Sequence, residues 1–245
     1  GGGLPGAMPL PRRVHRRNPS ESTMADPSIF LGLIRSALQD TAADQLPWER
    51  LCAPVDDHTL LHAIAHRTPD ERKVLVQHLI VNALPLNLQV HYCATLTEAA
   101  DRIAVIAAAC EPEFHPRKSL GLHEHPLLRA LPLTNQAELA SLPHTWTTPA
   151  HPRLREHTVE ASIGITVADW GIADSATIVQ ITRPGRPRST SLVAPIHIAL
   201  LPLAHLLADL AEAYAVIRQE PDLASWVLIS GPSKTADIEA CMVHG

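Results

Sequence analysis

Apolar residues recur at helical spacing in the first part of the chain. The segment 26–39 opens with Asp-Pro, an N-cap residue followed by proline at the first helical position, and its apolar side chains keep a helical period. Residues 68–83 repeat this pattern, with Thr68 and Glu71 spaced as a capping box. Both segments are therefore predicted to be helices.

The period changes after Asn87. Residues 88–94 resemble a strand, and residues 97–110 have the spacing of a helix that Pro112 ends. Residues 111–157 are rich in proline and histidine and only weakly periodic. This composition predicts long surface connections with short helical pieces.

Strands and helices alternate in the last third of the chain. The patterns predict strands at 161–168, 176–182, 197–203 and 226–230, a turn at 183–189, a helix at 204–219 and a helix start within 235–243. Such alternation indicates an α/β fold, three-layered, with a mostly parallel sheet between helices. We therefore divide the chain into a disordered tail (1–23), a helical N-terminal segment (24–85) and an α/β domain (86–245).

Composition narrows the class of protein. The net charge of −5 over 245 residues gives no basic footprint for nucleic acid, and the four cysteines are far apart without a C-x-x-C pair. The most apolar stretch, 192–210, is interrupted by proline, histidine and aspartate, so no membrane span is expected. The fifteen histidines include no H-E-x-x-H pattern, and no metal site is assigned. A cytoplasmic protein fits these features best.

The loop "SGPSKTAD", residues 230–237, follows a predicted strand and precedes the predicted helix start. Gly231 allows unusual backbone angles, and Lys234 adds a positive charge beside the first helical amides. This combination suits a carboxylate or a phosphate. The loop lacks the G-x-x-x-x-G-K spacing of a P-loop, which excludes ATP binding, and a purely structural helix cap remains the alternative.

Two further residues are candidates for catalysis. Asp174 stands beside Ser175 and Thr177 between two predicted strands, where a carboxylate can act as a base or bind a hydroxyl group, although a turn aspartate would look the same. His197 begins a predicted strand and is either a general base or a hydrogen-bonded structural histidine.

Three motifs, "GIADSATIV", "APIHIALLP" and "SGPSKTADIEACMVHG", occur in this order within residues 164–245. Together they resemble the LUD domain family, whose members read "AETGTLV", "PPVHI" and "SGPSRTADIE" at these places. In this chain Asp174 replaces the family's glutamate and Ala176 its glycine. Relatives continue beyond the equivalent of Gly245, so we expect the C-terminal strand of the family to be missing here.

The resemblance implies a fold similar to the NagB/RpiA/CoA-transferase-like group. It also implies a role in oxidising L-lactate to pyruvate, with iron–sulfur clusters on a partner subunit and no cofactor bound by this chain. A small carboxylate substrate would bind where the second predicted strand begins, where the fourth ends and along the loop that follows. The substrate-binding residues would be Ser175, Thr177, Ser230, Gly231, Ser233, Lys234, Thr235 and Asp237. Asp174 and His197 would be the catalytic pair.

Two alternatives to this function remain open. The chain is also compatible with a non-catalytic assembly subunit, whose apolar segment 203–217 would contact the iron–sulfur partner. By analogy of fold alone, it is also compatible with an enzyme that handles acyl or phosphate groups, as in the CoA-transferase group.

Overall fold

The computed structural model describes residues 56–113, 115–221, 223–232, 234–236 and 242–244. The helices are α1 (Asp57–Ala65), α2 (Pro69–Ala83), α3 (Leu96–Ala109), α4 (Pro126–Arg129), α5 (Ala137–Ala140), α6 (Leu154–Glu160), α7 (Ser189–Leu192) and α8 (Leu210–Ile217). The strands are β1 (Leu120–Leu122), β2 (His144–Trp146), β3 (Ile163–Val167), β4 (Trp170–Ile172), β5 (Thr177–Ile181), β6 (Ile196–Leu200), β7 (Leu206–Leu207), β8 (Trp226–Ile229), β9 (Lys234–Ala236) and β10 (Met242–His244).

Four strands form a parallel sheet in the order β2-β1-β3-β6. One face is apolar: Leu122 and Ile165 are fully buried and pack with Ile103 of α3 in one continuous cluster. Burial of each such side chain contributes roughly 1.5–3 kcal/mol, so this cluster is a main source of stability.

The opposite face of the same sheet is small and polar. Gly121, Gly164 and His197 lie side by side in one row, with Thr166 two residues further along β3 and therefore on the same face. The backbone of α7 covers this face so closely that the carbonyl oxygen of Thr190 lies 1.9 Å from the place of a Cβ on Gly164. With α3 on one face and α7 on the other, the sheet is the middle of three layers.

A second sheet is mixed, with the order β7-β4-β5-β8 and antiparallel pairs on both sides of β5. Its apolar side chains Val179 and Leu207 pack with Ile64 of α1 and Val216 of α8. β8 lies at its edge, and 40% of the surface of Leu228 is exposed, so this strand is only half-buried.

The structure confirms the predicted α/β class and most of the elements predicted after residue 159. The turn at 183–189 is present, as Arg183 and Arg186 pair across it. In the N-terminal part, the capping box of α2 is formed in both directions. The helix predicted at 97–110 is α3, which Cys110 caps in extended conformation.

The sequence does not predict β1 and β2, which lie in a segment expected to be connections, 111–157. Each strand has only three residues, too few to show a period, and each gains its hydrogen bonds from neighbours distant in sequence. Half of the parallel sheet is therefore formed by tertiary pairing without a local signal.

Two elements predicted before residue 230 differ from the structure. Residues 88–94 contain no strand, and the side chain of Tyr92 is 66% exposed there. The helix predicted at 204–219 begins only at Leu210, because Asp209 caps it by accepting a hydrogen bond from Glu212 N at 2.9 Å. The residues before this cap form a 3-10 turn and β7.

The chain divides into two units, residues 1–54 and 55–245, and every described residue belongs to the second. The predicted tail (1–23) and the first predicted helix (26–39) lie outside the described residues. The domain boundaries proposed from the sequence stay a prediction. No helix in the described part of the chain combines the length and apolar character that crossing a bilayer requires.

Candidate functional site

Three hydroxyl groups predicted to bind substrate meet where β5 begins and β8 ends. The Oγ1 atom of Thr177 lies 2.8 Å from Ser175 Oγ and 2.7 Å from Ser230 Oγ. The antiparallel pairing of β5 with β8 brings these positions together although they are 53 residues apart in sequence. Thr177 is buried, whereas Ser175 and Ser230 are exposed to solvent.

The helix start predicted after this cluster is wrong in the described residues. Lys234 and Thr235 belong to β9, which pairs in antiparallel fashion with β10. Amides of a strand point to alternate sides, so they do not converge on an anion as the first amides of a helix do. Ser233 and Asp237 lie outside the described residues. Anion binding at this loop stays a prediction, without the helix that motivated it.

Gly231 does need its conformational freedom. Its φ is +84°, and a Cβ there would lie 3.0 Å from the carbonyl oxygen of Leu86. The glycine thus lets the chain turn tightly against the end of the N-terminal helical segment. This is a structural reason for the residue that does not involve a ligand.

Asp174 lies in the hairpin turn between β4 and β5, and its side chain is exposed. Its amide donates to the carbonyl oxygen of Ala208 at 3.0 Å, and Ala176, two residues on, has a φ of +46°. This is the left-handed region that favours glycine. The turn geometry therefore explains why a glycine suits the position that Ala176 occupies.

His197 takes part in a different polar network, on the polar face of the parallel sheet that α7 covers. Its Nε2 lies 2.8 Å from Thr166 Oγ1, which also accepts from Gln180 Nε2 at 2.5 Å. Burial lowers the pKa of His197 to about 4, so the ring is neutral at pH 7. No hydrogen bond between described residues joins His197 to Asp174, and the predicted catalytic pair is not assembled by direct contact.

A second histidine lies on the same face of the parallel sheet, and this one is buried. His123 follows β1, is 2% exposed, and places Nε2 3.2 Å from the carbonyl oxygen of Pro187. Its pKa also falls to about 4, mainly because of burial and to a lesser extent because Arg186 and His197 are near. Both histidines are uncharged hydrogen-bonding groups at neutral pH.

A cleft of about 160 Å³ opens at the carboxyl ends of β1, β3 and β6. Its polar and aromatic walls come from six residues, none of which the sequence singles out: His125, Asp169, Trp170, Arg186, His205 and Glu220. Ligands of open α/β sheets bind at the carboxyl ends of the strands. The binding crevice lies where the strand order reverses, so that the connections from two neighbouring strands run in opposite directions along the sheet. β1 is such a point here, since β2 lies on one side of it and β3 on the other.

Ion pairs fix the acidic groups of the cleft. Asp169 accepts from Arg186 Nη1 at 3.1 Å and from the amide of Ile181 at 2.7 Å. Arg183 donates to Glu220 at 2.6 Å. Both carboxylates are thus already bound by cationic or amide donors, which lowers their capacity to receive a further cation.

The turn that carries Arg186 is held against the end of the parallel sheet. The carbonyl oxygen of Gly185 accepts from Glu124 N at 2.9 Å and from Thr147 Oγ1 at 2.5 Å. Gly185 has a φ of +77°, and a Cβ there would lie 2.9 Å from Glu124 Cβ. A glycine is required for this approach, and it fixes the position of the adjacent guanidinium group.

The sequence contains little that would reveal this cleft. His125, His205 and Arg186 of the cleft come from loops, and β1 helps to fix the relative positions of these loops. The sequence does not predict β1. The one usable signal is the carboxylate Asp169 directly after the most regular strand pattern, because polar residues at strand ends often line sites.

Comparison with known proteins settles the family. The model of the LUD domain matches residues 76–245, which is well over half of the chain. The chain belongs to the LUD domain family. The cleft, the hydroxyl cluster and the His197 network all lie within the LUD domain segment.

Curated relatives of this LUD domain are lactate utilization proteins C. The protein from Exiguobacterium sp. is 41% identical over 98 residues, which are 37% of this chain and 42% of the relative. The protein from Shouchella clausii is 40% identical over 89 residues, 35% of this chain and 39% of the relative. The matched region thus spans about two fifths of the length of these relatives. A solved DUF162 family protein from Deinococcus radiodurans covers 73% of this chain and 90% of its own at 17% identity, with a TM-score of 0.38.

Proposed function

We propose that this LUD domain protein is a component of an L-lactate utilization system, in which L-lactate is oxidised to pyruvate together with an iron–sulfur partner subunit. The observation that carries the proposal is the similarity of its LUD segment to lactate utilization proteins C.

The chemistry of this reaction motivates the partner. Conversion of a 2-hydroxy acid to a 2-oxo acid removes two electrons and two protons from the substrate. Amino-acid side chains do not store such an electron pair, whereas a redox cofactor does. Clusters on the partner would supply the acceptor for these electrons, and the present chain would bind the carboxylate substrate and place its hydroxyl group.

The sequence predicts that the carboxylate binds at residues 230–237, beside Lys234, with Asp174 or His197 near the hydroxyl proton. The hydroxyl cluster of Ser175, Thr177 and Ser230 supports this location, because these groups are able to donate hydrogen bonds to a carboxylate. The ring of His197 is neutral at pH 7 and hydrogen-bonded to Thr166, so His197 would hold neighbouring polar groups in position.

Deletion of the gene in its own host tests the function. Growth with L-lactate as sole carbon source should stop, growth with glucose should continue, and re-expression of the chain should restore growth with L-lactate. Unimpaired growth of the deletion strain with L-lactate would contradict the proposal.

A non-catalytic assembly role is the second candidate, and one observation favours it. In the segment predicted to contact a partner, Leu210 and Tyr214 of α8 are 45% and 41% exposed. Purified iron–sulfur subunit of the same system should then bind the chain in a pull-down assay, and Tyr214→Asp should weaken that complex. An assembly subunit would bind its partner yet show no saturable binding of L-lactate or pyruvate.

A further inference from the structure

The cleft at the carboxyl edge of the parallel sheet holds several donors without partners. In the described part of the chain, the guanidinium group of Arg186 makes one hydrogen bond, through Nη1 to Asp169, and its Nε and Nη2 make none. The Arg186 side chain is only 17% exposed. A half-buried guanidinium with unused N–H groups favours a bidentate acceptor such as a carboxylate.

A histidine adds a donor beside this guanidinium. The Nδ1 atom of His125 accepts from the amide of Leu127 at 3.0 Å, so the neutral ring carries its proton on Nε2. His205 also lines the cleft, but its Nδ1 atom, which has no hydrogen-bond partner among the described residues, is enclosed by protein atoms and is not accessible to a ligand. Burial lowers the pKa of His125, with Arg186 as the next cause, which keeps this ring neutral.

Aromatic and apolar groups also line the cleft. The ring of Trp170 lies 4.9 Å from the ring of His205, and Val167 and Pro202 are further lining residues. The cleft therefore offers contacts to a short carbon chain as well as to oxygen atoms.

The size of the cleft limits the ligand. About 160 Å³ is well below the roughly 300–1,000 Å³ of pockets that take drug-sized molecules. Nucleotides, flavins and CoA are too large to be enclosed here, whereas a carboxylic acid of three or four carbons fits.

We propose that this cleft binds a small carboxylate, with Arg186 holding the carboxylate group and His125 donating to an oxygen on the adjacent carbon. The carboxylate class follows from the donors and the volume of the cleft. The more specific assignment to L-lactate and pyruvate, a 2-hydroxy and a 2-oxo acid, rests on the proposed function, and it puts their carboxylate in the cleft instead of at the 230–237 loop.

Calorimetric titration of the full chain tests the site, with L-lactate, pyruvate, acetate and inorganic phosphate as separate probes. L-Lactate or pyruvate should bind saturably, and Arg186→Gln should weaken binding at least about tenfold, the loss expected for a hydrogen-bonded charge. Arg153→Gln removes the same charge from an exposed ion pair at the start of α6 and is the matched control, with affinity unchanged.

Folding of the variants is checked by thermal unfolding. Arg186→Lys keeps the positive charge beside Asp169 but loses the planar guanidinium group that binds a carboxylate through two donors. This variant should therefore fold and still bind L-lactate or pyruvate more weakly. The indole N–H resonance of Trp170, assigned with Trp170→Phe, should shift on titration of the wild type, which places the ligand in the cleft independently of any arginine variant.

Three results would overturn the proposal: no saturable binding of any of the acids, binding that both Arg186 variants leave unchanged, or binding that Lys234→Ala removes while the Trp170 resonance stays fixed. The last result would place the carboxylate at the 230–237 loop. Binding at the cleft in a protein whose gene is dispensable for growth with L-lactate would retain the cleft and reject the proposed function.

Discussion

The carbonyl oxygen of Thr190 occupies the space beside Gly164 that any larger residue would need. This close approach brings α7 onto the polar face of the parallel sheet. Gly164→Ala should therefore lower the free energy of unfolding by roughly 2–4 kcal/mol, because backbone of α7 or β3 has to move. Chemical denaturation of the variant measures this loss. The control is Gly121→Ala, where a Cβ meets its nearest atom at 3.4 Å, ordinary contact, and the loss should be smaller.

Ala176 offers a gain in stability. Its φ of +46° is unfavourable for alanine, and glycine adopts it without strain. Ala176→Gly should raise the free energy of unfolding by roughly 0.5–1 kcal/mol, after the entropy cost of glycine in the unfolded chain is subtracted. A lower midpoint of urea unfolding for this variant would show that the hairpin turn has a different geometry.

The buried ion pair between Arg67 and Glu212 joins the α1–α2 connection to α8. The two charged groups are 2.5 Å apart, and their side chains are 9% and 8% exposed. Arg67→Met leaves Glu212 buried without its cation and should cost roughly 3–5 kcal/mol. The exposed pair of Lys73 with Asp70 is the comparison, and Lys73→Met should cost less than about 1 kcal/mol. Equal losses in urea unfolding would contradict this account.

Acid should destabilise the fold through His123 and His197. Their pKa values are about 4 in the folded protein, against 6.5 ordinarily, so between these values the unfolded chain binds more protons. The stability that these two histidines contribute is present above pH 6.5 and is lost as the pH drops towards 4, by up to about 1.4 kcal/mol per pH unit for each histidine. Urea unfolding between pH 7.5 and pH 4.5 measures the slope, which His123→Gln should reduce. An unchanged slope in that variant would show that His123 titrates normally.

Gly185 links stability to the cleft. Gly185→Ala places a methyl group against Glu124 at a φ of +77°, and should cost roughly 1–2 kcal/mol of stability. Since the same turn fixes Arg186, the variant should also bind L-lactate more weakly than the wild type at a temperature where it is fully folded. Calorimetry and thermal unfolding of one sample separate the two effects.

Local signals in the sequence were sufficient for elements that stabilise themselves. The capping box of α2 and the helical period of α3 depend on residues three or four positions apart, and both helices form where they are predicted. β3 and β5 are long enough for their patterns to be recognised, and the three family motifs identify the LUD domain.

Only the tertiary structure decided the rest. β1 and β2 exist because distant strands supply their hydrogen bonds, and a three-residue segment carries no period to indicate this. For the same reason, the sequence does not predict the cleft that β1 helps to form. The segment after Gly231 looks helical locally, yet β9 pairs with β10. The sequence by itself determined the family, the class of fold and the helices whose stabilising contacts are local. Pairing between distant strands decided which side chains meet at the carboxyl edge of the sheet, because those contacts form only when the chain is folded.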